Sequence, residues 1–346
     1  MAINGMKCIH IGEMSGVVEA RQTAMTICEI QGFDAALAGK VAIIVTELAT
    51  NLVKHAGEGD ILIRPYTEAE VSGIECLALD RGQGIKDIGR SLQNGYSTGG
   101  SPGNGLGAVR RLSSVFDLYS QPGKGTAILA RIEHKTPAQA SHPQHLQFPP
   151  HMEIGVVCLP VVPNEPCGDG WDVIRLRDRT VILIVDGLGH GLQASEVPAE
   201  AIRIFRKNPG GNPVEILNIL HAALRSTRGG VVAVTAIDVG KGTVKFTGAG
   251  NISGQIISSS GTRSMVSLNG TAGVEIRKFQ EFSYPWAPES LLILHTDGLT
   301  THWDMEDYPG LARKHPSLIA GVLYRDHTRG RDDVTVLAVK QVEVNV

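Results

Sequence analysis

Apolar positions along the first third of the chain recur with two different periods. Between residues 35 and 55, Val41, Ile44, Val45, Leu48 and Leu52 return every three or four positions, the spacing that lines one face of an α-helix. Residues 17–29 follow the same period, and residues 109–116 predict a further helix just after a glycine-rich stretch. Short apolar runs at 60–65, 73–79 and 126–132 predict strands. From residue 154 onward strands dominate, at 154–159, 172–177, 180–185, 231–238, 243–248, 254–258, 291–296 and 334–339. Helical spacing interrupts them at 194–205 and 213–224. Many strands with two helices among them predict an α+β sandwich rather than a wound parallel sheet.

Between the two patterns lies KTPAQASHPQHLQFPPH, residues 135–151, rich in Pro, Gln and His and without an apolar period. It predicts an exposed, semi-rigid linker. The expected organisation is therefore a domain over 1–134, a linker over 135–152 and a second domain over 153–346. A length of 346 residues fits that division, and 42% hydrophobic residues suffice for two ordinary cores. The net charge of −3 and the lack of a basic block remove the electrostatic case for nucleic acid. Five cysteines, Cys8, Cys28, Cys76, Cys158 and Cys167, include no C-x-x-C pair, which argues against zinc. Residues 1–11 lack the pattern of an export signal, and no apolar run predicts a membrane span, so the expected location is the cytoplasm.

Candidate chemistry sharpens the division. Glu47, Asn51 and His55 are each one i, i+4 step apart and share a helix stripe beside the apolar one. The Asn can offer a carbonyl oxygen to Mg²⁺, and the Glu can take a proton from an attacking hydroxyl. Asp80 ends a predicted strand and is followed by Gly82 and Gly84. A carboxylate there can accept from an exocyclic amine such as that of adenine. Gly103, Gly105 and Gly107 precede an amphipathic helix and would expose backbone N–H groups to phosphate. In the second half, Asp169, Asp186, Asp297 and Asp332 each abut a glycine or a second aspartate at a predicted strand end. Four converging carboxylates repel unless a cation sits among them, and oxygen donors select Mg²⁺ or Mn²⁺ over Zn²⁺. Two such ions can activate a bridging water for in-line attack on a phosphoryl group. Gly187 could add a backbone carbonyl, and no Cys or Ser stands out as a nucleophile. Cys167 is either an oxidation-sensitive neighbour of the cluster or a small buried residue.

The words VTELATNLVKHAG, DRGQGI, GNGLG and SQPGKGTAILARI, spread over roughly residues 10–133, resemble the motifs of the Bergerat-fold (GHKL) ATPases. The nearest branch resembles the anti-sigma-factor serine kinases of the SpoIIAB and RsbT type. The resemblance implies an α/β sandwich holding ATP and Mg²⁺. Glu47 would be the catalytic base, Asn51 the Mg²⁺ ligand and Asp80 the adenine contact. Gly82 and Gly84 would form the adjoining turn, Gly103, Gly105 and Gly107 the phosphate lid, and Thr126 would lie near adenine.

The words CGDGWD, VDGLGHG, HTDGL and RGRDDVT, within roughly residues 153–341, resemble the SpoIIE-type, RsbX-like branch of the metal-dependent serine/threonine phosphatases. That resemblance implies an αββα sandwich with two Mg²⁺ or Mn²⁺ ions. Asp186 and Gly187 would flank both metals, and Asp297 and Asp332 would hold them from either side. Asp169 would belong to the early acidic motif, with Asp172 as the alternative there and Asp333 as the alternative to Asp332. His190 would support its loop.

Together the resemblances imply a bifunctional switch that phosphorylates and dephosphorylates a STAS-type anti-sigma antagonist or scaffold in a partner-switching pathway. Two alternatives stand beside it. In one, the first domain only senses ATP or recruits partners. In the other, it sequesters a sigma factor. A homodimer is left open.

Overall fold

The computed structural model describes residues 5–68, 71–91, 105–135 and 152–342. Gly103 and the expected linker from residue 136 to 151 lie outside the described residues. Two compact units divide the chain: Met1–His142 with Arg313–Arg325, and Pro143–Ala312 with Asp326–Val346.

The first unit runs β1 (Lys7–Ile11), α1 (Met14–Ile30), α2 (Ala35–Asn51), β2 (Gly59–Glu68), β3 (Val71–Leu79), α3 (Ile88–Ser91), α4 (Gly105–Leu112), β4 (Val115–Gln121) and β5 (Gly125–Lys135). Its strands form an antiparallel sheet in the order β1-β2-β3-β5-β4. Side chains alternate across a strand, and that alternation gives the sheet two apolar faces. Ile61, Ile63, Ile74, Cys76 and Ala78 share one core with Val17 and Ala20 of α1 and with Val41, Ile44, Val45 and Leu48 of α2. Asp34 starts α2 by accepting a bond from the Leu37 N–H at 2.8 Å. A turn of π-helix, Leu52–Ala56, continues α2, so the helix predicted through His55 is regular only as far as Asn51.

Among the described residues, Ala35–Ala56 is long and apolar enough to cross a bilayer by length and composition, which corrects the sequence expectation of no such run. Val41, Ile44, Val45 and Leu48 are nonetheless buried in the core just described.

The other face of this sheet carries Leu62, Leu77 and Leu129 in cross-strand register, with Leu79 beside them, and all four are buried. A helix from late in the chain, Pro316–His327, lies on this face. Gly321 permits the approach: a Cβ there would stand 3.3 Å from Leu79 Cδ2 and 3.4 Å from Leu77 Cδ1. Polar contacts fix the start of this helix. Ser317 Oγ donates to Glu75 at 2.6 Å and accepts from Arg131 at 3.1 Å, while Lys314 Nζ and the His315 N–H both bond Asp117.

The second unit begins with β6 (Met152–Leu159), β7 (Asp169–Arg175), β8 (Thr180–Gly187), α5 (Leu192–Lys207) and α6 (Pro213–Ala223). It continues through β9 (Gly230–Asp238), β10 (Thr243–Ala249), β11 (Ser253–Ser258), β12 (Gly261–Ser264), β13 (Gly270–Thr271), β14 (Glu275–Ile276), β15 (Phe282–Pro285), β16 (Leu291–His295) and β17 (Val334–Gln341). Two five-stranded antiparallel sheets result, ordered β15-β10-β9-β8-β7 and β12-β11-β16-β17-β6. On β8, Ile182 and Ile184 meet Leu292, Leu294, Leu337 and Val339 of the other sheet in a core between the layers. Val181, Leu183 and Val185 point the opposite way, onto Val197 and Phe205 of α5 and Leu217 and Leu220 of α6. The fold class is the predicted one: a helix-backed α/β sandwich, then a sheet-on-sheet sandwich with helices on its outer face.

Candidate functional site

In the first unit the sequence-predicted residues gather at the C-terminal end of α2. Gly105 opens α4 so close to that helix that a Cβ on it would stand 2.7 Å from Glu47 Oε2 and 3.9 Å from Asn51 Oδ1. Gly107 is buried two residues further along α4. Among the described residues the Asn51 Nδ2 group, which is buried, has no hydrogen-bond partner, and a bound ligand could satisfy it.

Asp80 follows β3, and its Oδ1 accepts bonds from the Gly82 N–H at 2.8 Å and the Thr126 N–H at 3.1 Å. Burial raises its carboxyl above the ordinary range, against the pull of those two bonds and of Arg325 and His55. Gly82 packs against Ala56, where a Cβ would come within 2.9 Å of the Ala56 Cα. Gly84 has φ +69°, and a Cβ there would collide with the Gln121 carbonyl, so the turn requires glycine. Thr126 is buried, with its hydroxyl 3.0 Å from that of Ser120. Arg325 of the late helix donates to the Asp80 backbone carbonyl at 2.9 Å. These donors suit a nucleotide and a hard cation: a carboxylate on a glycine turn, an amide with an unmet donor, and the glycine start of a helix.

In the second unit the carboxylates come together through strand register. Asp169 on β7 pairs directly with Asp186 on β8, and Gly187 pairs with Gly230 on β9. Asp297 follows β16, and Asp332 and Asp333 precede β17, the neighbouring strand of the other sheet. Burial pushes the Asp186 carboxyl up to about 7, with Asp297, Asp332 and Asp333 adding repulsion. Asp169 is held well above the ordinary range by burial and then by Asp186, against the bond from Thr296. Asp332 is raised by burial, with repulsion from Asp297 and Asp333. Thr296 Oγ1 donates to Asp169 at 2.7 Å and accepts from the Thr335 N–H at 2.9 Å, which fixes Asp169 from behind. Asn251 Nδ2 bonds Asp297 at 2.8 Å. Sequence reasoning missed Asn251, although it lies two residues past the end of β10, after Gly250, where a strand-end donor could be sought.

The two alternatives separate. Asp172 lies on the opposite face of β7 from Asp169, where Arg206 of α5 holds it at 2.7 and 3.2 Å. Asp333 gives both oxygens to backbone N–H groups, of Val161 at 2.7 Å and of Gly168 at 2.5 Å, and its own N–H bonds Asp332. His190 is exposed and close enough to the cluster to oppose the rise at Asp332. Cys167 lies 3.9 Å from the Cys158 sulfur, and that contact together with burial keeps its thiol protonated.

Among the described residues no three His, Cys, Asp or Glu side chains close on a point as a ready cage. Mg²⁺ does not need one, because it is held through one or two carboxylates and keeps several waters. Crowded carboxylates that resist ionising together are an oxygen-only donor set suited to such ions.

Known proteins match both halves. The Histidine kinase-like ATPase domain family matches residues 13–132, and the Stage II sporulation protein E (SpoIIE) family matches residues 177–342. Serine/threonine-protein kinase RsbT of Bacillus subtilis (strain 168) is 34% identical over 128 residues, covering 37% of this chain and 96% of RsbT. A solved structure from work on the bacterial stressosome, a modular system adapted to control secondary messenger signalling, superposes with a TM-score of 0.52 at 24% identity, covering 55% of this chain and 100% of that one. RsbX in complex with magnesium gives a TM-score of 0.48 at 20% identity, covering 56% of this chain and 96% of RsbX.

Proposed function

We propose that this chain, which belongs through its first part to the RsbT family of serine/threonine protein kinases and carries a SpoIIE-type phosphatase domain after it, is a bifunctional regulator of one phosphoprotein system. The kinase site would phosphorylate a serine or threonine on a STAS-type partner, and the phosphatase site would remove phosphate from that partner or a related one. A sigma factor or stress-signalling scaffold would stand downstream. What supports this most directly is that each unit gathers its own donor set at strand or helix ends: Gly105 against Glu47 and Asn51 in one, Asp186 facing Asp297 and Asp332 in the other.

At the first site ATP supplies the phosphoryl group when bound. Glu47 would take the proton of the attacking hydroxyl, and Asn51 would offer its amide oxygen to Mg²⁺. Asp80 would accept from the adenine amine, with Gly82, Gly84 and Thr126 shaping the turn around it. Gly105 and Gly107, with Gly103, would present N–H groups to the phosphates.

At the second site two Mg²⁺ or Mn²⁺ ions, when bound, supply charge neutralisation and an activated water. Asp186 and the Gly187 carbonyl would flank both ions, with Asp297 and Asp332 on either side. Asp169, steadied by Thr296, would complete the acidic end. Asp332 is preferred to Asp333 because backbone donors occupy both Asp333 oxygens, and Asp169 to Asp172 because Arg206 holds Asp172 on the far face.

The test is transfer of label from ATP to candidate STAS proteins, followed by release in the presence of Mn²⁺. Glu47→Ala should abolish transfer and retain ATP binding, and Asp186→Asn should abolish release and retain ATP binding. Transfer to no STAS protein despite normal ATP binding would remove the kinase half. One observation favours a second reading, in which ATP is sensed rather than spent. The late helix bonds the Asp80 carbonyl, and in sequence that helix lies between Asp297 and Asp332. ATP-dependent phosphatase rates that survive Glu47→Ala, with no transfer in wild type, would select it.

A further inference from the structure

We infer that four exposed apolar side chains, Val162, Leu188, Leu192 and Val274, form a docking collar around the acidic cluster. Its occupant is a phosphoprotein segment whose phosphorylated serine or threonine is flanked by apolar residues. The inference rests on the phosphatase reading of the second unit and adds the specificity that reading lacks.

Three collar residues sit on loops near the cluster, and Leu192 begins a helix that opens beside it. Leu188 directly follows Gly187, and its N–H bonds the Gly229 carbonyl at 3.2 Å. Val274 stands against the same Gly229, where a Cβ would meet Val274 Cγ2 at 2.7 Å. Leu192 opens α5 one residue after Gly191, and a Cβ on Gly191 would stand 3.5 Å from Glu165 Oε2. Glu165 in turn bonds the Val162 carbonyl, and the neighbouring Val161 N–H bonds Asp333 at 2.7 Å. Leu188 and Val274 thus both border Gly229, next to the paired Gly187 and Gly230, while Leu192, through Gly191, and Val162 both border Glu165 in the segment whose Val161 N–H bonds Asp333.

Exposure makes these residues informative. Leu192 is 70% and Val274 63% exposed, and Leu188 and Val162 are exposed as well. Single exposed apolar residues are ordinary, whereas several around one polar centre mark a binding surface. Charge points to the occupant. Arg228 donates to the Leu188 carbonyl at 3.3 Å, which places an exposed guanidinium beside the Leu188 side of the collar. A segment bearing a dianionic phosphoryl group between apolar neighbours meets cation with anion and apolar with apolar. A small phosphate ester would reach the cluster and leave the collar uncovered.

The experiment uses the full chain with Mn²⁺ and three substrates. These are p-nitrophenyl phosphate and two phosphoserine peptides of equal length and charge, one with Leu and Val flanking the phosphoserine and one with Ser and Asn. Wild type should favour the apolar peptide by about tenfold in kcat/KM, the scale on which apolar contacts discriminate. Leu192→Ser with Val274→Ser should erase that preference and leave p-nitrophenyl phosphate turnover unchanged, since neither side chain is buried. Equal kcat/KM for both peptides in wild type, or a preference that survives the double variant, would overturn the collar. So would a dimer that the double variant dissociates, because the surface would then belong to a second copy. Loss of p-nitrophenyl phosphate turnover in wild type would instead strike the phosphatase reading itself.

Discussion

Glu75 is 1% exposed and still ionised, because Arg64 Nε and Arg131 Nε each meet one of its oxygens at 2.7 Å and Ser317 adds a third bond. Burial alone would raise this carboxyl; the two guanidinium groups overcome it and hold it well below the usual range. Glu75→Gln leaves two buried cations without their shared partner and should cost about 3–5 kcal/mol, read from urea unfolding at pH 7. The sign with pH follows from the depressed carboxyl. Its stabilisation is complete above the unfolded value of about 4.3 and is lost as pH falls below it. His315 acts in a higher window. Burial first, then Arg131, lower its imidazole to about 3. The unfolded chain therefore takes up a proton below about 6.5 that the folded chain refuses, so stability falls from there toward 3. His315→Asn should flatten that decline, and unfolding free energies measured between pH 7 and 4 would show it. Neither network was legible in the sequence, because Glu75 and Ser317 are brought together only by tertiary packing. Asp80, Gly84 and Asp186 were legible, since each is marked by a strand end and a glycine turn.

At the scale of elements, the two-residue period of β7 separates two acidic residues that spacing alone left open. Asp169 and Asp172 differ by an odd number of positions and so emerge on opposite faces. Asp169→Asn should lower phosphatase kcat by about 10–100-fold, a typical loss for a disturbed metal environment. Asp172→Asn should stay within about twofold, because it only frees Arg206. Comparable losses in both would reverse the assignment. The major helices and most central strands were visible as periodicity. Others were hidden for physical reasons. Residues 109–116 predicted one helix, but α4 already starts at Gly105 and gives way to β4 at Val115, where VFDLYSQ is strand-like. The late helix is buried on nearly every side from Pro316 to Leu323, so it lacks the polar stripe by which a surface helix announces itself.

The whole molecule is divided by packing rather than by the order of the chain. Residues Arg313–Arg325 belong to the first compact unit, although most of the second unit lies between them and β5 in sequence. A fragment of residues 1–142 would retain the sheet, α1 and α2 but would bare Leu62, Leu77, Leu79 and Leu129 to water. Such a patch predicts aggregation or a sharply lowered Tm, and adding a peptide of residues 313–327 in trans should restore part of the stability. A soluble fragment with the unfolding temperature of the full chain would show that this helix is dispensable.

That late segment also sets a timetable for biosynthesis. A nascent chain emerging from the ribosome has every strand of its opening sheet by residue 135, but the leucine face stays bare until residue 325 has been made. The unit translated first is thus among the last to mature. A stop codon anywhere before residue 313 would cripple both halves at once, and a gene split between them could not yield two self-sufficient proteins.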